Sequence, residues 1–285
     1  MRYGQASRTA KMVAFWRDLG DQGITSVPNF SDPAARELLS GPFWRFMLSR
    51  GDLLAKSPQG KTASGMRPWV DGLVMRVAFI DSEIAAARAR QVVILGAGLD
   101  TRAWRLDALR EARVFEVDHP ATQAYKRAHA DKLGPPRADL RYVPVDFTRD
   151  SLARSLIGAG YDVNAPAVWV WEGVIMYLDD AALRGTLTAI RTLSAPGSRL
   201  IAHYHVPEPK PTAAVVRKLL FSWLGEPQIG LRTRARMREE IERAGFELIE
   251  DAGVREQALR VGGSPPSDPR VEVSRILVAK IPTTT

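Results

Sequence analysis

The chain contains no cysteine. That absence excludes disulfides, cysteine nucleophiles and thiolate-held zinc or iron–sulfur centres. Histidine is scarce: His119, His129, His203 and His205 are the whole set. None forms an HExxH pair, so no metal is expected. There is no uninterrupted apolar run of about 18 residues, the length needed to span a membrane. The opening stretch, MRYGQASRTAKMVAFWRDLG, has no apolar leader core and patterns as an amphipathic helix. These absences lead to the expectation of a cytoplasmic protein with no membrane contact.

What is present suits a folded globular chain. With 285 residues and 45% hydrophobic content, it can bury a sizeable core as one large domain or as one domain with a cap. Forty basic residues against 32 acidic ones give a net charge of +8. Such an excess would suit an anionic partner such as nucleic acid. The basic residues are scattered, however. The one local run, LRTRARMREE at 231–240, alternates into acids and reads as a solvated helix face. Nucleic acid is therefore not the expected partner.

No internal repeat is visible. PEPKP (207–211) and GGSPPSDP (262–269) read as loops, because proline lacks a donor and biases its predecessor away from helix. From about residue 91, strand and helix patterns alternate. The strands read as 91–96, 112–118, 140–146, 167–173, 198–206, 246–251 and 271–281. Helix patterns fall near 101–110, 120–133, 149–157, 179–194 and 233–244. Alternation of this kind predicts an α/β fold with a doubly wound, seven-stranded, mostly parallel sheet. The early strands are apolar on both faces, as helices on both sides require. Four helices, at 7–20, 32–40, 42–55 and 67–89, precede the sheet. The expected organisation is a single domain with a helical cap over 1–89 and a core over 90–206. A second cap insertion over 207–232 contains PTAAVVRKLLFSWLG, and 233–285 completes the core.

The strongest local signal is VVILGAGLDTRAW, residues 92–104. A buried strand runs into Gly96-Ala97-Gly98 and then a helix. Glycines there allow a tight turn and close approach of a ligand to the backbone. A dinucleotide site would want a third glycine and a pyrophosphate at the helix N-terminus. Asp100 stands near that place and would repel a pyrophosphate; it suits a cationic or zwitterionic ligand, or serves as a helix cap. NAD is disfavoured on this ground. Asp118 follows Gly96 by 22 positions, at the end of the second strand. It can accept both hydroxyls of a ribose, or cap the helix beginning at Pro120, with His119 between them. Glu116 shares its side-chain phase, and the terminal position favours Asp118. Asp146 and Phe147, at the end of the third strand, could hold an adenine amino group and stack on its ring. Glu172 ends the fourth. Open α/β sheets bind ligands at these carboxyl ends.

These motifs together carry a family resemblance. SRTAKMVA near the start, MRVAFID from residue 75, VVILGAGLDTRAWRL, FEVDHPATQAYKR, VPVDF, WEGVIMYL and LGEP resemble the leucine carboxyl methyltransferase family, including its bacterial natural-product branch. They spread from about residue 7 to 250. The resemblance implies a class I methyltransferase (Rossmann-like) fold and S-adenosyl-L-methionine as cofactor. It implies that Arg76 grips the methionine carboxylate, a role suited to a guanidinium fork. Gly96, Ala97 and Gly98 would line the methionine moiety, Asp118 with His119 the ribose, Asp146 with Phe147 the adenine. Glu172 would sit at the cofactor's amino end. The chain departs from the wider class I pattern at Ile94, where an acid usually precedes the first glycine by two residues. Arg76 and Glu172 must then secure the amino-acid part.

Methyl transfer from a sulfonium is an in-line displacement, in which the protein chiefly aligns the partners and excludes water. A carboxylate acceptor needs no base; a phenol, alcohol or indole carbon can require one. His203 and His205 share one face of the fifth strand and flank Tyr204. With Tyr177 in WEGVIMYL, read as a helix, they are the candidate catalytic residues, each also readable as structural. Trp169 and Trp171 read as packing. Phe221 and Trp223, in the insertion, could line an acceptor pocket. The expected function is methylation of a small molecule, most simply O-methylation of a carboxylate or hydroxyl in secondary metabolism, by a monomer or homodimer. C- or N-methylation of an indole-type product is the alternative. A basic RNA-binding protein or a non-catalytic cofactor-binding module are the rivals from other classes.

Overall fold

Val92 and Ile94 point to one side of their strand and Val93 and Leu95 to the other, and all four are buried. A strand apolar in both phases needs cover on both faces. In the computed structural model, which describes residues 8–57, 60–147, 149–207, 228–265 and 273–283, it has that cover.

The sheet contains β1 (Gln91–Leu95), β2 (Arg113–Asp118), β3 (Asp139–Pro144), β4 (Val168–Trp171), β5 (Arg199–His205), β6 (Glu247–Gly253) and β7 (Ser274–Lys280). Their order is β3-β2-β1-β4-β5-β7-β6. β1 to β5 are parallel, and β7 runs antiparallel between β5 and β6. The order reverses between β1 and β4, so a crevice opens there at the carboxyl ends.

Helices follow the strands: α5 (Arg102–Arg105), α6 (Pro120–Ala130), α7 (Leu152–Gly158), α8 (Asp180–Thr192), α9 (Arg234–Arg243) and α10 (Val254–Val261). Ser151, Asp179 and Thr233 start three of them by accepting a backbone N–H three residues on, which supplies a donor-rich helix end with a partner. One face of the sheet buries Val93, Phe115, Trp169, Trp171 and Tyr204 against α7, α8 and α9. The other buries Val92, Ile94, Val170 and Ile201. Its cover includes α5 and α4 (Lys61–Ala87), the last of the helices that precede the sheet. The earlier three are α1 (Arg8–Asp21), α2 (Pro33–Glu37) and α3 (Pro42–Ala55). With α4 they close a third cluster around Leu19, Leu38, Val70 and Met75, which reaches Leu99 after β1 and Val254 and Ala258 of α10.

The differences from the sequence reading are local. The helix expected at 101–110 is the short α5 followed by a separate 3-10 turn at Asp107–Leu109. WEGVIMYL is not a helix: β4 stops at Trp171 and only a 3-10 turn, Ile175–Tyr177, follows. β3 ends at Pro144, so Asp146 and Phe147 stand in the loop beyond it. The helix expected from 67 begins at Lys61 and carries Pro68 inside it. α10 has no counterpart in the reading; it starts directly where β6 ends, with Gly253 as both the last strand residue and the helix N-cap. The run at 231–240 is not simply a solvated face, because Glu240 is buried among Arg184, Arg236 and Arg243. Most of the insertion expected at 207–232, with Phe221, Trp223 and LGEP, lies outside the described residues. So do Ser7 and the start of the last strand at 271–272. Among the described residues no helix is long and apolar enough to cross a membrane.

Candidate active site

The turn after β1 is built by backbone. The Gly96 and Ala97 amides both donate to Val117 O, at 2.8 and 3.1 Å, extending the β1–β2 pairing past the strand end. Gly96 and Gly98 lie at φ +65° and +53°, where a Cβ is strained. A Cβ on Gly96 would also stand 2.4 Å from Val174 Cγ2, and one on Gly98 3.1 Å from Ala10 Cβ.

Asp118 ends β2 beside this turn. One carboxylate oxygen accepts the Gly98 amide and the other the His119 amide. Burial raises its pKa, and the two backbone donors oppose that rise. His119 caps α6, its Nδ1 accepting the Ala121 amide. Glu116, which shares the phase of Asp118, is committed elsewhere: it is fully buried in an ion pair with Lys126 of α6. Burial pushes its pKa up to about 7 against the pull of Lys126.

Past β3, the Asp146 amide donates to Asp150, while the Phe147 ring is 53% exposed. Past β4, Glu172 follows Trp171, whose register partner is Leu95 of β1. Glu172 therefore sits across from the glycine turn. Its Oε1 accepts from Arg76 Nε of α4 at 2.7 Å and its Oε2 from Arg102 Nη2 of α5 at 2.9 Å. Burial favours the neutral acid, but Arg102 and Arg76 outweigh it and hold the carboxyl below its ordinary range.

Arg102 is a hub that sequence reasoning missed. Its guanidinium also binds Asp81 of α4 through Nε (2.6 Å) and Asp100 through Nη1 (2.5 Å). Asp100 accepts the Arg102 amide as well. Burial opposes its ionisation, yet Arg102, Lys126 and Arg17 bring its pKa down to about 2. The chain continues: Arg105 binds Asp81 at 2.6 Å and approaches Asp32 at 3.4 Å. Arg17 of α1 binds Asp32, Thr101 Oγ1 and Leu99 O. The available signal was the Asp-Thr-Arg run after the glycines, together with Asp81 five positions after Arg76 on one helix. What the run could not give was its partners, which lie up to 84 residues away.

The fifth strand divides the catalytic candidates. His203 is fully buried, its Nδ1 accepting the Gly173 amide and its Nε2 bonded to Ser274 Oγ. Burial, then Arg76 and His205, drive its pKa well below 6.5. Tyr204 points to the opposite face and donates to Asp251 at 2.9 Å, so it is separated from the histidine pair by the sheet. His205 is half-buried, its ring edge-on to His203 with centroids 5.0 Å apart. Tyr177 is half-buried in the turn after Glu172.

The donor set fits the cofactor implied by the motifs. Among the described residues Arg76 hydrogen-bonds only through Nε, which leaves the terminal nitrogens of its fork for a carboxylate. Oriented carboxylates, an exposed ring and a turn with glycine at two of its three positions stand along the adjacent ends of β4, β1, β2 and β3.

Comparison with known proteins gives a consistent result. The family model for leucine carboxyl methyltransferase matches residues 10–191. A relative from Mycolicibacterium paratuberculosis is 37% identical over 198 residues, which are 67% of this chain and 62% of its own. One from Mycobacterium marinum is 35% identical over 248 residues, 84% of this chain and 74% of its own. Both bear the provisional name S-adenosyl-L-methionine-dependent methyltransferase. The chain thus spans 62% and 74% of the lengths of these two relatives. A crystal structure from Thermobifida fusca, provisionally named a methyltransferase, superposes with a TM-score of 0.58 at 18% identity, covering 99% of this chain and 97% of its own. A duf574 family protein from Streptomyces avermitilis gives 0.60 at 18% identity, covering 97% and 98%. At such identities the likeness concerns the fold, that of class I methyltransferases.

Proposed function

The chain belongs to the leucine carboxyl methyltransferase family, and from that premise we propose that it transfers the methyl group of S-adenosylmethionine to a small-molecule acceptor. The observation that carries this reading is Arg76, anchored through Nε on Glu172 across from the Gly96–Gly98 turn with its terminal nitrogens uncommitted among the described residues. That arrangement suits an amino acid: the guanidinium for its carboxylate, Glu172 for its ammonium. Asp118, oriented by two backbone amides, retains lone pairs for ribose hydroxyls. Asp146 and Phe147 are assigned to the adenine edge and face. Gly96, Ala97 and Gly98 let the ligand lie against backbone.

S-adenosylmethionine, when bound, supplies an already activated methyl group, so the residues around it have to align and to exclude water rather than activate. The acceptor we assign is a carboxylate or hydroxyl of a secondary metabolite. A carboxylate would need no base. For a hydroxyl, His205 and Tyr177 are the candidates the geometry supports. His203, with both ring nitrogens engaged in a buried site, and Tyr204, on the other side of the sheet, suit that role less well.

Titration calorimetry with S-adenosylhomocysteine tests the reading, with NAD as control. The chain is expected to bind the homocysteine product and not NAD. Arg76→Ala should lose about 1.5–3 kcal/mol of affinity, the value of hydrogen bonds to a charged group. A folded sample that binds no S-adenosylhomocysteine would overturn the proposal.

A further inference from the structure

Arg102 lies between three carboxylates that come from three parts of the chain. Asp81 is on α4, Asp100 in the turn after β1, and Glu172 just past β4. The guanidinium is buried, and three of its nitrogens are each committed to a different acid. A fork with fixed donor directions sets where each carboxylate oxygen stands; a single ammonium could not satisfy all three directions at once. Glu172 is the acid that matters for the ligand. Its Oε2 is held by Arg102, which leaves Oε1 directed at Arg76 Nε. The orientation of Arg76 thus depends on that of Glu172, which depends on Arg102.

We propose that Arg102 is a positioning residue for the cofactor's amino-acid end: it fixes the Glu172 carboxylate so that Glu172 and Arg76 together present a matched pair to an ammonium and a carboxylate. The inference rests on the cofactor reading above. Through Asp81 and Arg105 the same guanidinium ties this pair to α4, and through Asp100 to the glycine turn. Arg102 need not touch the ligand.

The charged groups around Glu172 are Arg76 from α4, Arg102 from α5 and Asp100 from the turn after β1, with His203 of β5 beyond Arg76. Of these, only Arg102 and Arg76 favour the ionised form of Glu172. Loosening Arg102 therefore lets Glu172 take up a proton at higher pH.

The test uses the full chain and S-adenosylhomocysteine as probe, with calorimetry over roughly pH 6 to 8 and a thermal melt of each variant. The pH trend of each variant is read relative to wild type, whose buried Glu116, with a pKa of about 7, gives a trend of its own. Arg102→Lys keeps a charge but not the fork. It should bind about tenfold more weakly, and more weakly still toward the acid end of the range. In a Glu172→Gln background the same change should cost little, because the residue it positions is gone. Should Arg102→Lys fail to fold, Asp81→Asn decides: it reduces the ion pair on Arg102 Nε to a neutral hydrogen bond and should weaken binding with the same pH trend. Wild-type affinity and the wild-type pH profile in Arg102→Lys, or in Asp81→Asn where that variant decides, would overturn the proposal. So would an undiminished tenfold loss in the Glu172→Gln background. Those results would leave the cofactor reading standing. Absence of binding by wild type would overturn both.

Discussion

Between the Gly173 amide and Ser274 Oγ, His203 finds partners for both ring nitrogens with none of its surface in water. Because Nδ1 accepts, Nε2 carries the proton and donates to Ser274. The neutral ring is the form this site selects, since burial beside Arg76 penalises a second proton. The consequence for stability has a definite sign. The unfolded chain takes up a proton on His203 below about pH 6.5, and the folded chain does not. Its contribution is therefore present above that pH and is lost as the pH falls below it. The expected slope from this one residue is about 1.4 kcal/mol per pH unit. Denaturant melts of wild type and His203→Gln should differ by that slope on the acid side and run parallel above it. Glu116 and Lys126 carry a related lesson. Both are acid–base side chains near the cleft, yet Lys126 is spent on Glu116 Oε2 in the interior, while Glu116 Oε1 is buried without a hydrogen-bond partner. Such a pair is costly to break and is unavailable for chemistry.

At the scale of elements, the turn between β1 and α5 concentrates the constraints. Two amides close onto Val117 O, two glycines take positive φ, and Val174 from the far side of the crevice fills the space a Gly96 side chain would need. Gly96→Ala should cost about 1–2 kcal/mol for the left-handed backbone alone, and more for the contact with Val174. The double variant Gly96→Ala, Val174→Ala removes the contact and not the strain. Chemical denaturation should thus show partial recovery of stability, with the backbone share remaining. Full recovery would mean that the turn relaxes to another conformation. Arg232 plays a comparable part after β4. It is buried, and it donates to the carbonyls of Ile175, Leu178 and Gly230 and to Asp180. It thereby binds the Tyr177 turn to the chain that enters α9.

For the whole molecule, the question is how the helices before the sheet are held to it. The third apolar cluster gives area but little direction. Direction comes from the ionic chain Arg17–Asp32–Arg105–Asp81–Arg102–Glu172–Arg76, which crosses between α1, α2, α4, α5 and the end of β4. Asp32 and Arg17 are buried, so neutralising one leaves the other exposed to the full cost of desolvation. Asp32→Asn should destabilise by about 3–5 kcal/mol. Hydrogen exchange in that variant should rise earlier in α1 and α2 than in β1 and β4. A uniform rise would mean that cap and sheet open as one unit.

The order of strands and helices was legible because periodicity is local: Val92 to Leu95 declare a strand covered on both faces without reference to anything distant. The placement of the glycine turn, Asp118 and Glu172 at adjacent strand ends was legible because short motifs mark those ends, which is where the proposed site lies. α10 was not legible, because it is short and follows β6 with no loop, Gly253 alone ending the strand and capping the helix. The division among His203, Tyr204 and His205 was only half legible. Alternation put the histidines on one face, but burial, the Ser274 and Gly173 partners and the Asp251 contact belong to segments far away in the chain. Glu116 and Asp118 likewise share a phase in the sequence, and Lys126 takes one and leaves the other. By itself the sequence determined the fold and the family, and it pointed to the carboxyl ends of the strands for the proposed site, because these follow from local pattern. Tertiary structure alone decided which charged groups are spent on one another and which remain for a ligand, because that depends on distances between residues whose separation along the chain carries no such information.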